Sequence, residues 1–227
     1  MIEEVKKLVA ELLGDDKSGH GFDHIMRVYN LSIKFAEAEK SADKDIVGLS
    51  ALLHDVDDYK LFGDTFADNL TNAKRILKQV DANVDTSNTV LKIINTMGYS
   101  KLLKGIRPDS IEGQIVSDAD MCDAMGATGI LRNFAYTLKH NRIFFDNNIW
   151  PVENISAEVY KNKTQDTSVC HFFEKLLKLQ SLMLTKEGKK EAIYRNEIMV
   201  DFLRHFFKEV NATDWGNYLE DYLKKHN

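Results

Sequence analysis

The stretch LSALLHDVDDYKLFG, Leu49 to Gly63, runs an apolar segment straight into His54-Asp55 and then two further acids, Asp57 and Asp58. Taking an imidazole and carboxylates out of water at the end of a buried helix costs several kcal/mol per charge unless something compensates. The apolar part has a helical period: Val47, Leu49, Leu52 and Leu53 share a core face, behind an N-cap at Asp43 or Asp45.

The rest of the chain repeats that period. Residues 2–13 read as an amphipathic helix stopped by Gly14, and a second helix runs from an N-cap at Asp23 to about Lys40, with Ile25, Val28, Leu31 and Phe35 inward. Further helices are expected over 65–80, 86–97, 110–123, 125–140, 170–187, 188–210 and 214–224. The only prolines are Pro108 and Pro151, and no strand or repeat is visible. The expected fold is all-α, a single-domain helical bundle over residues 1–227. Residues 141–169 lack periodicity and read as an irregular segment that is either a lid or a surface connection.

Composition narrows the function. The 227 residues are 44% hydrophobic and 29% charged, enough for one substantial core. A net charge of −5 argues against a general polyanion-binding surface, so no nucleic-acid partner is expected. No apolar run approaches the ~18 residues of a membrane span, and MIEEVKKLVAELLG is not a secretion signal. Cys122 and Cys170 fit no CxxC pattern and read as reduced thiols of a cytoplasmic protein. Phosphate-binding loops GxxxxGK[ST], GxGxxG fingerprints and GxSxG elbows are absent.

Polar residues interrupt apolar surroundings at His24, at His54-Asp55 and at Asp118, which follows Ile115-Val116. One divalent cation would neutralise such carboxylates and take the imidazole lone pairs. Two His and two Asp form a mixed nitrogen and oxygen set suited to Mn²⁺, Fe²⁺ or Zn²⁺. Hydrogen-bonded core histidines and a capping aspartate are the alternative on spacing alone.

His24, then LLHD ending at Asp55, then SDAD beginning at Ser117 resembles the HD-domain superfamily of metal-dependent phosphohydrolases. GHGFDHIMRV (19–28), GYSKLLKG (98–105), DADMCDAMGATGILRNFAY (118–136) and HFFEKLLKLQSLMLTKEGKK (171–190) are similar to its small bacterial YpgQ-like subgroup. The resemblance implies metal ligands at His24, His54, Asp55 and Asp118, and one metal, since no histidine lies between Asp55 and Asp118. Manganese leads, with Mg²⁺, Co²⁺, Fe²⁺ or Zn²⁺ as alternatives.

The resemblance further implies that metal-activated water attacks phosphorus, with Asp58, and Asp57 beside it, orienting or deprotonating that water. The alternative for both acids is solvation of a helix end. The implied substrate is a small phosphate compound, a nucleotide, from which pyrophosphate or phosphate is released. Candidate phosphate contacts are His20, Lys60, and His171 with Lys175, four apart on one expected helix face; each has a surface or packing role as its alternative. Arg27 reads as a structural salt bridge. The subgroup commonly has Arg and Leu where this chain has Met121 and Cys122, which keeps open a silent metal- and nucleotide-binding sensor.

Overall fold

The computed structural model describes residues 1–14, 21–152 and 167–226, apart from the Lys60 side chain. The helices are α1 (Ile2–Leu13), α2 (Phe22–Ala38), α3 (Lys44–Leu53), α4 (Tyr59–Phe62), α5 (Asp64–Asn69), α6 (Thr71–Gln79), α7 (Val84–Asn95), α8 (Tyr99–Leu103), α9 (Ile111–Asp123), α10 (Gly126–Lys139), α11 (Ser168–Glu174), α12 (Lys186–Glu209) and α13 (Thr213–His226), with a 3₁₀ helix at Leu176–Leu182. The fold is all-α. Among the described residues there is no strand, only an isolated bridge between Ile143 and Thr167. No described helix is long and apolar enough to cross a membrane.

Two compact units can be distinguished: Met1–Asp123 with Leu184–Gly188, and Ala124–Met183 with Lys189–Asn227. In the first, α2, α3 and α9 pack on one another, and α1 and α7 pack against α3. Ile25, Val28 and Phe35 of α2, Val47, Leu49, Leu52 and Leu53 of α3, and Ile115 and Val116 of α9 are buried there. Each such side chain stabilises the fold by about 1.5–3 kcal/mol relative to exposure. Asp43 caps α3, its carboxylate accepting from the Asp45 and Ile46 N–H groups at 2.9 and 3.2 Å. The expected cap at Asp23 is not one: Gly21 occupies that position without a side-chain cap, and Asp23 lies inside the first turn.

The expected helix over 65–80 is two helices. Leu70 separates them in the left-handed region at φ 50°, and no Gly or Pro marks the break. There Asp57 becomes structural. Its carboxylate accepts from the Asn72 and Ala73 N–H groups at 2.8 and 2.9 Å, satisfying two donors of the first turn of α6.

Burial raises the Asp57 pKa against those backbone bonds, so its ionised form is disfavoured in the folded chain. A raised folded-state pKa makes this group's contribution to stability greatest below the ordinary aspartate value, and the contribution shrinks as pH rises through the raised one. Asp57→Ala is expected to lose about 1–2 kcal/mol through the lost cap. A urea melt of the chelated protein checks it. An unchanged midpoint would return Asp57 to the candidate catalytic set.

In the second unit α12 runs on from Lys189, and aromatic residues fill the core. Trp215 is fully buried, stacks on Trp150 with centroids 4.3 Å apart, and donates from Nε1 to the Asn147 carbonyl at 3.2 Å. Phe144 and Phe145 pack edge-on against Phe206. The described start of the irregular 141–169 segment is thus anchored in this core; residues 153–166 lie outside the described ones. The expected helix over 170–187 breaks at Lys175, with φ −137° and ψ −59°, and gives way to the 3₁₀ helix. His171 and Lys175 therefore do not share a helix face, although the Lys175 N–H donates to the His171 carbonyl at 3.0 Å.

Candidate metal centre

His24 comes from the first turn of α2, and His54 directly follows α3. Their rings meet edge to face, with the two Nε2 atoms 3.2 Å apart. Both side chains are buried, at 1% and 2% exposure, whereas Asp55 and Asp120 keep 18% and 27%. Asp55 Oδ2 lies 3.4 Å from His24 Nε2 and 3.6 Å from His54 Nε2. Asp120 Oδ1 lies 3.5 and 3.7 Å from the same two atoms. Imidazoles thus form the floor of the cluster, and carboxylates form a solvent-reaching mouth.

The other ring nitrogens set the proton positions. His54 Nδ1 is 2.8 Å from the Ala51 carbonyl, which can only accept, so Nδ1 carries the proton. His24 Nδ1 is 2.7 Å from Asp123 Oδ2, and by the same reasoning donates to that carboxylate. In neutral rings both Nε2 atoms then present lone pairs to each other and to two carboxylates. That arrangement calls for a cation.

The spacing fits one. Donor atoms about 2.1 Å from a common ion stand about 3.0 Å apart at right angles and about 3.4 Å apart at tetrahedral corners. Among the described residues, His24, His54 and Asp120 are together close enough to ligate one ion.

Asp120, not the expected Asp118, brings its carboxylate to this cluster. Asp118 is fully buried and accepts from the Leu184 N–H at 2.9 Å and from the Thr185 N–H and hydroxyl, each at 2.7 Å. Successive residues of a helix turn by about 100°, so Asp118 and Asp120 leave α9 on opposite sides, while Asp123 lies about 60° from Asp120.

Asp123, like Asp120, is a residue that sequence reasoning missed. Buried, it holds His24 on Oδ2 and accepts Arg27 Nε at 2.8 Å and Nη2 at 3.1 Å. Arg27 also bonds Asp23 Oδ2 at 2.7 Å, so the expected salt bridge at Arg27 is present. Burial opposes the Arg27 charge, but Asp123 and Asp23 outweigh it and hold its pKa above the ordinary value. The available signal was spacing: Asp123 follows Asp120 by three residues, as Arg27 follows His24.

Asp58 is half-buried at the entry to α4, where its carbonyl accepts the Leu61 and Phe62 N–H groups at 3.0 Å. Lys60 lies in α4, its side chain outside the described ones, and His20 lies outside the described residues. His171 and Lys175 belong to the second unit. Met121 and Cys122 are buried, with Cys122 Sγ 3.9 Å from the Gly188 carbonyl.

The HD-domain family model matches residues 21–125. The chain is 32% identical over 216 residues to an uncharacterized Bacillus subtilis protein, YpgQ, covering 93% of this chain and 95% of that one. A crystal structure of an HD-superfamily hydrolase from Bacillus thuringiensis aligns with TM-score 0.71 at 36% identity, over 93% of this chain and 97% of that one. The crystal structure of Bacillus subtilis YpgQ in complex with ADP aligns with TM-score 0.70 at 28% identity, over 92% and 98%.

Proposed function

Because this chain belongs to the HD-domain family, we propose that it is a metal-dependent phosphohydrolase releasing pyrophosphate or phosphate from nucleoside or deoxynucleoside phosphates. The observation that carries the reading is two Nε2 atoms 3.2 Å apart, each faced by carboxylate oxygens of Asp55 and Asp120 at 3.4–3.7 Å. His24, His54, Asp55 and Asp120 hold one divalent ion, Mn²⁺ first, and Asp120 replaces Asp118 in the expected set. Such an ion lowers the pKa of water and offsets charge on phosphate oxygens.

The chain's own groups do the rest. Asp123 keeps the His24 proton on Nδ1 and so leaves Nε2 as a ligand. Asp58, close after His54 and half-buried, is the proton acceptor. The exposed side of Asp55 and Asp120 admits the substrate. His20, Lys60, His171 and Lys175 remain the candidate phosphate contacts, each to be tested singly. Nucleotide substrates are supported by the complex of the relative YpgQ with ADP. A single functional domain over 1–227 and a cytoplasmic location complete the reading.

The test uses chelated protein incubated with nucleoside mono-, di- and triphosphates under Mn²⁺, Mg²⁺, Co²⁺ or Zn²⁺, with phosphate and pyrophosphate read separately. Metal-dependent release is expected, and it should vanish in Asp55→Ala. Metal binding without turnover on any nucleotide would instead favour the sensor, which the Met121 departure keeps in view.

A further inference from the structure

From the surroundings of Asp118 we infer that Asp118 and Thr185 are positioning residues that set the rotation of α9 and thereby the place of Asp120 and Asp123 at the metal centre. The inference rests on the metal-binding reading above. Asp118 is 0% exposed, and a carboxylate so placed needs strong partners. It has them in one short segment. The Leu184 N–H reaches Oδ1 at 2.9 Å and Oδ2 at 3.0 Å, and the Thr185 N–H and hydroxyl reach Oδ2 at 2.7 Å each. Hydrogen bonds to an ionised acceptor are about twice as strong as neutral ones.

Thr185 works in both directions. It directly precedes α12, and its hydroxyl accepts the Gly188 N–H at 3.0 Å, as an N-cap does, while donating its own proton to Asp118. The carboxylate therefore sits at the positive end of a 24-residue helix. Gly188 completes the fit: a Cβ there would overlap the Asp118 carboxylate.

The consequence follows from helix geometry. Asp118 leaves one side of α9, and Asp120 and Asp123 leave the other. A turn or slide of α9 shifts both of the latter together. One carries an oxygen 3.5 Å from His24 Nε2, and the other holds His24 Nδ1 at 2.7 Å. Fixing the far side of α9 to residues 184–188 thus fixes the spacing of the metal ligands.

The experiment compares wild type, Asp118→Asn, Thr185→Val and Thr185→Ser. Mn²⁺ affinity of the chelated, folded proteins is measured by calorimetric titration, and thermal midpoints are measured in chelator. Thr185→Val and Asp118→Asn are expected to weaken Mn²⁺ binding about 10-fold, the lower end for residues that support metal ligands. Thr185→Ser, which keeps the hydroxyl, should retain wild-type affinity. If Asp118→Asn does not fold, the Val and Ser pair carries the test alone. A lowered midpoint with wild-type Mn²⁺ affinity in Thr185→Val would overturn the inference and leave the metal centre standing. A wild type that binds no divalent ion would overturn both.

Discussion

Asp120→Ala is expected to weaken Mn²⁺ binding by more than about 100-fold, beyond the 10–100-fold range of residues that only support ligands, and to remove phosphohydrolysis with it. Asp120 supplies one of the two carboxylates that face the His24 and His54 Nε2 atoms, at 3.5 and 3.7 Å. Without it, Asp55 alone must balance a divalent charge above two neutral imidazoles. No second acid on that side of α9 can replace it, because Asp123 is engaged by Arg27 and His24. Folding should survive the change, since the Asp120 side chain is 27% exposed. The informative contrast is Asp118→Asn, for which a loss of only about 10-fold is expected. Calorimetric titration of both variants decides the ligand. A greater loss at Asp118 than at Asp120 would restore the assignment drawn from the sequence pattern.

That contrast marks how far the sequence could be read. The helices were legible wherever an apolar period coincided with a local stop or cap, as at α1 before Gly14 and at α3 behind Asp43. The breaks at Leu70 and Lys175 were not, because neither residue type signals an unusual backbone. His24, His54 and Asp55 stood out as costly groups beside apolar residues, and the structure brings all three together. The third acidic position was ambiguous for a physical reason. Asp118, Asp120 and Asp123 lie on one helix, and periodicity fixes their mutual angles without showing which side meets α2. Asp118 follows Ile115-Val116, and that position singles it out in the sequence. Backbone and hydroxyl donors 66 and 67 residues away compensate it, which no local pattern reveals. The hydrogen bonds of Asp57 were hidden in the same way, since its partners begin a helix 15 residues later.

Asp123→Ala is expected to have the largest effect on stability, about 2–4 kcal/mol, together with a 10–100-fold loss of Mn²⁺ affinity. Removing one partner of a buried ion pair costs about 3–5 kcal/mol when the other charge is stranded. Here the penalty is smaller, because Arg27 is 36% exposed and keeps Asp23 at 2.7 Å. The effect on metal has a separate cause. Asp123 is the acceptor that holds the His24 proton on Nδ1; without it the ring is free to carry the proton on Nε2, where no lone pair remains for a cation. Arg27→Met separates the two effects. It removes a partner of the ion pair but leaves the Asp123 carboxylate beside His24, so stability should fall while the ring keeps its tautomer. Nitrogen chemical shifts of the His24 ring in the chelated protein read that directly. An Asp123→Ala protein whose His24 still protonates Nδ1 and whose Mn²⁺ affinity is that of wild type would confine Asp123 to the fold. Joint loss of tautomer and affinity, against retention of both in Arg27→Met, would make the carboxylate–imidazole pair part of the metal centre.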